Sequence, residues 1–194
     1  MIAGVDEAGR GPLAGPVLAA AVALPSDFDP TGVTDSKQLS EKQRIAAYER
    51  IVTEAVGVGV GEVDASTIDL INILQATYRA MLAALADLGC ELDAVLVDGR
   101  AIPGCPVPQT AIVHGDALCV SIGAASIVAK VERDRRMCEL DTLYPGYGFA
   151  KHKGYCTEEH LTALERLGPC PEHRRSFAPV ATIAEGQCRL LGPR

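Results

Sequence analysis

The chain has 194 residues, 48% of them hydrophobic and 22% charged, with a net charge of −7. It is long enough for one domain with a proper core, too apolar to be disordered, and too acidic overall for a general nucleic-acid binder. The acid is unevenly spread: from Lys130 to Arg175, 9 Lys+Arg face 8 Asp+Glu, so a local basic face is possible there.

Ile2–Asp6 and Val17–Leu24 read as two buried strands joined by a Gly-rich turn. Neighbouring side chains on a strand point to opposite faces. If Ile2 and Val5 are core, Asp6 and Glu7 cannot both be solvated. At least one then sits where negative charge is needed, and the usual reason is a hard divalent cation. Thr34–Gln38 reads as a loop, and Ser40 caps a helix starting at Glu41, with Gln43 at capping-box distance. Ala55–Val63 alternates Val with Gly as a third strand. Asp64 and Ser66 start a helical region running to about Leu88, with Ile68, Ile71, Leu74, Tyr78, Met81 and Leu85 at helical spacing. Ala94–Val97 is a short strand ending at Asp98-Gly99, and Thr110–Val113 another, ending at His114-Gly115-Asp116. The next helix carries Ile122, Ile127, Val128 and Val131 on its apolar side and becomes heavily charged from Lys130 to Arg136. Beyond Pro145 come a Gly/Lys/His loop, a helix from Thr157 to about Leu167, and a basic segment His173-Arg174-Arg175. Three early strands followed by alternating helices and strands predict an α/β layer fold with a mixed sheet.

The cysteines at 90, 105, 119, 138, 156, 170 and 188 are scattered, with no Cys-x-x-Cys, which fits reduced thiols in a cytoplasmic protein better than zinc or disulfides. The apolar run Leu13–Leu24 has no basic segment before it and is broken by Pro16, so it reads neither as a secretion signal nor as a membrane span. No amphipathic stripe is left over, which predicts a monomer.

Asp6-Glu7, Asp98 and Asp116 each sit where a strand ends or is about to end. Ligands of open α/β sheets gather at strand ends. Were these strands neighbours, four carboxylates would converge, each with a raised pKa unless cations compensate. Mg²⁺ or Mn²⁺ suits an all-oxygen ligand set, and two such ions suit phosphodiester hydrolysis. The bland alternative is that each Asp-Gly is a turn. A dinucleotide loop at Gly9-x-Gly11-x-x-x-Gly15 is rejected: Pro12 and Pro16 punctuate it, a strand follows instead of a helix, and two carboxylates sit where a pyrophosphate needs positive potential.

Asp6-Glu7-Ala8-Gly9-Arg10-Gly11-Pro12, Asp35-Ser36-Lys37, Val97-Asp98-Gly99, Gly115-Asp116, Ala124-Ala125-Ser126-Ile127-Val128-Ala129-Lys130-Val131, His152-Lys153-Gly154-Tyr155 and Arg174-Arg175-Ser176-Phe177 occur in the order found in bacterial ribonuclease HII, which the chain resembles over nearly its whole length. The resemblance implies a ribonuclease H-like fold: one domain over 1–194, a mixed five-stranded sheet flanked by helices, and a small helical C-terminal extension from about 145. It implies a metal-dependent endoribonuclease. Such an enzyme cuts RNA in RNA–DNA hybrids and incises 5′ of single ribonucleotides in duplex DNA, leaving 3′-hydroxyl and 5′-phosphate ends, in ribonucleotide repair and primer removal. By motif match, Asp6, Glu7, Asp98 and Asp116 are catalytic and hold two Mg²⁺ or Mn²⁺ ions with substrate. Gly9, Arg10 and Gly11 would read the 2′-hydroxyl, the group that tells RNA from DNA, and Tyr155 would stack on the deoxyribose that follows. Lys37 is a candidate phosphate contact. Lys130, Arg133, Lys151, Lys153, Arg174 and Arg175 form, as a group, a candidate duplex-lining set, and Ser126 reads as a small packing residue. Gln38 and His114 stand where the family often has lysine, removing positive charge near the site. The tail Gly186–Arg194 lacks the paired aromatics of a sliding-clamp-binding peptide, which speaks against clamp binding through it. Three rivals remain open: a DNA nuclease of the same fold, a non-catalytic hybrid-binding module and a small nucleotide-binding protein.

Overall fold

The computed structural model describes residues 1–190, with side chains through Glu185. The tail segment Gly186–Arg194 therefore lies outside the described side chains. Within the described residues five strands form one sheet: β1 (Ile2–Ala8), β2 (Val17–Ala23), β3 (Gly57–Val63), β4 (Ala94–Asp98) and β5 (Gln109–Ile112), in the order β3-β2-β1-β4-β5. β1, β2 and β3 pair antiparallel, while β1, β4 and β5 pair parallel. This is the expected mixed sheet, and β1 is its central strand.

Among the described residues eight helices accompany it: α1 (Glu41–Glu54), α2 (Ala65–Ile71), α3 (Ile73–Asp87), α4 (Gly115–Leu118), α5 (Val120–Leu143), α6 (Phe149–His152), α7 (Glu158–Leu167) and α8 (Ala178–Leu190). Alternate strand residues feed two cores. Ala3, Val5, Ala19, Ala21, Val95 and Val97 pack with Ala76, Ala80, Met81 and Ala84 of α3. Ala20 and Val22 pack on the other face with Ile51 of α1 and Ala124, Ala125, Ile127 and Val128 of α5. A chain with no Trp and few aromatics fills this space by bringing backbones close. A Cβ on Gly59 or Gly61 would lie 2.1 Å from the carbonyl oxygen of Ala84 or Ala80, and one on Gly4 would lie 2.1 Å from the carbonyl carbon of Ser121. The Val/Gly alternation of β3 is thus a two-faced strand whose glycine face admits α3.

Several boundaries differ from the sequence reading. The helical region over 64–88 is two helices, broken at Asn72, whose φ of 67° no α-helix accommodates; its side chain then accepts from the Leu74 and Gln75 N–H groups and starts α3. Ile2 is 54% exposed and outside the core, although Val5 is fully buried. The expected loop after Pro145 contains a one-turn helix, α6. Ser40 and Gln43 form the complete capping box.

Candidate active site

β1 carries Asp6 and Glu7 into the end of the sheet, with opposite-facing side chains. The parallel register pairs Val5 with Val97, so one step further Asp6 and Asp98 stand side by side on adjacent strands. Asp6 is 5% exposed. Its Oδ1 accepts from the Glu7 N–H at 2.7 Å, and it also accepts from the Ser126 hydroxyl. Ser126 lies 3.0 Å, Oγ to Oγ, from buried Ser36. Asp98 accepts from the Gly115 N–H at 2.7 Å, which ties the end of β4 to the start of α4. Asp116 lies in the first turn of α4 and not at a strand end, because His114 adopts a left-handed φ of 57° and turns the chain out of β5 into the helix.

These carboxylates lie in one another's field. Burial raises Asp6 well above the usual carboxylate range, and the charges of Glu7 and Asp98 add to it against the Ser126 bond. Burial also raises Glu7, opposed by the Arg10 guanidinium, whose Nη1 lies 3.2 Å from Glu7 Oε1. Asp116 is raised by burial, then by Asp35 and Asp98, with Lys37 opposing. The constellation is short of positive charge, and its donors are all hard oxygens, which fits a divalent cation. Among the described residues, no three Asp, Glu, His or Cys side chains gather into a ready-made cage.

Beside the carboxylates opens a cleft of about 220 Å³. Glu7, Gly9, Arg10 and Gly11 line one wall, Ser36, Lys37, Ser126 and Lys130 another, and Arg133 and Tyr155 a third. The structure thus brings Lys37 and Tyr155, distant in sequence, to the same cleft as the Gly9–Gly11 loop. Tyr155 is 45% exposed.

Two expected duplex contacts are something else. Arg174 is fully buried. It donates to Gly9 O (2.6 Å), Arg10 O (3.0 Å), Pro12 O (2.8 Å) and twice to Gly15 O (2.8 and 3.0 Å). Arg133, 1% exposed, donates to Ala14 O, Pro16 O and Lys153 O. Both arginines face inward and satisfy carbonyls of the loop after β1, which is tied elsewhere by the isolated Ala14–His173 bridge but joins no ladder of the sheet. Gly9, at φ 95°, is required by this clamp, since a Cβ there would lie 2.0 Å from Arg133 Nε. Gly11 is different: the nearest atom to a Cβ would be Tyr155 Cε1 at 3.9 Å. Of the remaining basic residues, Lys130 pairs with Asp134 and Lys151 with Glu159, while Lys153 reaches Cys138 Sγ at 3.2 Å.

Sequence reasoning also missed three buried histidines. The Cys170 N–H donates to His173 Nδ1 (3.0 Å), so the proton of His173 is on Nε2 and donates to His160 Nε2 (3.1 Å). His160 then carries its proton on Nδ1, which donates to the Tyr155 carbonyl at 2.9 Å. The Gly154 N–H donates to His152 Nδ1, leaving His152 Nε2–H for Tyr147 O. Burial pulls His173 down to about 4 and also lowers His160, so both are neutral at pH 7. The signal in sequence was slight: three of four histidines fall within 22 residues of one another.

A family model for ribonuclease HII matches residues 3–180. A curated ribonuclease HII from Bacillus cereus (strain Q1) is 55% identical over 184 residues, 95% of this chain and 71% of the relative. Among solved structures, the ribonuclease H2 of Pyrococcus horikoshii OT3 is similar with a TM-score of 0.79 at 26% identity, covering 99% of each chain. A PCNA:RNase HII complex from Archaeoglobus fulgidus is similar with a TM-score of 0.77 at 25% identity, covering 94% of this chain and 96% of that one.

Proposed function

The chain belongs to the ribonuclease HII family, and from that premise we propose that it hydrolyses the RNA strand of RNA–DNA hybrids and incises duplex DNA on the 5′ side of a single embedded ribonucleotide. The observation that carries this reading is the register that sets Asp6 beside Asp98, with Glu7 opening onto the cleft of the Gly9–Gly11 loop.

Asp6, Glu7, Asp98 and Asp116 would hold two divalent ions, Mg²⁺ or Mn²⁺, in the presence of substrate. Such ions supply an activated water and charge stabilisation at the leaving oxygen. The protein's own part is positional. Ser126 holds the buried Asp6 carboxylate in one orientation, backed by Ser36. The Gly115 N–H holds Asp98. Gly9, Arg10 and Gly11 read the 2′-hydroxyl beside Glu7, so that recognition and ion placement share one strand end. Lys37 offers positive charge to a phosphate between Glu7 and Asp116, both of which lie in its field. Tyr155 stacks on the deoxyribose that follows the ribonucleotide. Residues 1–194 would act as one catalytic domain, with the extension from about 145, which carries Tyr155, contributing to substrate binding. The described cysteines are free thiols, which supports a cytoplasmic setting, and among the described residues no helix is long and apolar enough to cross a membrane. The activity places the enzyme in ribonucleotide removal and RNA primer removal.

The test is a labelled DNA duplex with one ribonucleotide beside an all-DNA duplex, each with Mg²⁺, Mn²⁺ or chelator. The expected result is one cut, 5′ of the ribonucleotide and only with metal, leaving 3′-hydroxyl and 5′-phosphate ends. Cleavage of both duplexes would replace the reading with a DNA nuclease. Binding without cleavage would replace it with a hybrid-binding module.

A further inference from the structure

Two recognition elements sit on one cleft, the Gly9–Gly11 loop and the Tyr155 ring, 144 residues apart in the chain. One buried side chain touches the frame of both. Arg133 Nη2 donates to Ala14 O (3.2 Å) and Nε to Pro16 O (3.0 Å) on the loop side. Its Nη1 donates to Lys153 O (3.0 Å) on the Tyr155 side. Its guanidinium carbon lies 5.9 Å from the Tyr155 ring centroid, at the outer edge of cation–π range. The turn it grips is strained. Lys153 has φ 52°, which a side chain with a Cβ seldom adopts, and Gly154 follows at φ 80°. Such a conformation persists only when its surroundings over-determine it. Here the Leu13 N–H donates to Gly154 O at 2.8 Å, and a Cβ on Gly154 would lie 2.5 Å from Ala14 O. The guanidinium fork bonds carbonyls on both sides of this contact, Lys153 O and Ala14 O, and its rigid planar geometry can serve three carbonyls at once where an ammonium cannot.

We infer that Arg133 is a positioning residue that fixes the Tyr155 ring relative to the ribose-reading loop, and that selectivity for an RNA-to-DNA step over uniform hybrid depends on it. This rests on the proposed reading of Tyr155 as the residue that meets the deoxyribose. Uniform hybrid presents no such step, so its cleavage needs the loop but not a ring held at one spacing.

The experiment compares kcat/KM on a DNA duplex carrying one ribonucleotide with kcat/KM on a uniform RNA–DNA hybrid. The proteins are the parent, Arg133→Lys, Tyr155→Ala and the double variant, with folding followed by thermal melting. Arg133→Gln replaces the lysine variant if that melts below the assay temperature. The expected result is that Arg133→Lys lowers the junction-to-hybrid ratio roughly tenfold, the scale of one lost stacking contact. Tyr155→Ala should lower it to a similar extent, and the double variant no further than either alone. A folded Arg133 variant that keeps the ratio, or loses both substrates equally, overturns the inference while leaving Tyr155 in its role. An unchanged ratio in Tyr155→Ala removes the reading on which the inference stands.

Discussion

Replacing Arg174 by methionine removes five hydrogen bonds from four carbonyls without removing much volume. The Arg10 carbonyl is only partly buried and water can take over there. Gly9 O, Pro12 O and Gly15 O are buried and lose every bond that Arg174 gave them. An orphaned buried carbonyl costs about 1–3 kcal/mol, so three give roughly 3–9 kcal/mol before relaxation. Against this stands the release of a charge whose burial is incompletely compensated: desolvation pulls Arg174 down to about 9, and apolar replacements of buried charges recover some of that cost. The lower end therefore applies, about 2–4 kcal/mol. For a chain of this size that lowers Tm by roughly 5–15 °C. Calorimetry or circular dichroism measures the shift. Cleavage of the single-ribonucleotide duplex, measured well below both melting points, should fall more than the change in folded fraction explains. A variant that melts within about 2 °C of the parent and cleaves at the parental rate would refute the clamp. Arg175→Met is the control: Arg175 is exposed and the change should stay within about 0.5 kcal/mol.

Asp98→Asn should fold normally and lose cleavage by roughly a hundredfold or more, since even outer-shell partners of metal sites are worth 10–100-fold; unchanged activity at saturating Mg²⁺ removes Asp98 from the ion-holding set. Asp6, Glu7 and Asp116 have raised folded-state pKa values, so the folded protein binds more protons than the unfolded chain above the ordinary carboxylate range, and metal-free stability from these groups declines as pH rises through that window. Mg²⁺ should offset the decline, so the Tm increment between Mg²⁺ and chelator should grow from pH 5 to pH 8; an increment that stays flat contradicts the shared-field reading. Gly9→Ala and Gly11→Ala should separate scaffold from reader. The first should cost several kcal/mol of stability, because its Cβ meets Arg133 at a positive φ, while the second should fold normally and lose ribonucleotide-dependent cleavage; matched melting curves for the two would contradict the distinction.

Residues that face one way for a local reason were legible in the sequence. The Ser40–Gln43 cap, the Val/Gly face of β3 and the two carboxylates at the end of β1 each rest on spacing within a few residues, and each occurs in the structure. Asn72 and His114 escaped because a left-handed residue leaves little trace when it is not glycine. Asp116 was consequently placed at the end of a strand instead of on a one-turn helix. Arg133 and Arg174 escaped for a different reason. A charge pattern on a helix does not show which long side chain turns inward, and the usual outcome is a solvated face. A clue lay elsewhere, in Gly9–Pro16. A segment with two prolines, sandwiched between buried strands, has carbonyls that require donors from outside, and arginine brings five N–H groups on one side chain.

The partners of that segment arrive late along the chain. Gly15 N–H donates to Glu172 O, Arg174 N–H donates to Leu13 O, and Ala14 bridges His173, all across some 160 residues. Closing a loop of that length costs entropy before any of its contacts repay it. The strand bearing Asp6 can find its neighbours Ala94–Asp98 and Val17–Ala23 without that closure, whereas the loop that follows it is completed only when residues 172–174 add their bonds to those of Arg133 and Gly154. On the ribosome, a chain emerging N-terminus first would therefore acquire its carboxylates before its means of choosing a substrate, and local opening of the docked 172–174 segment in the mature protein would release them in the reverse order.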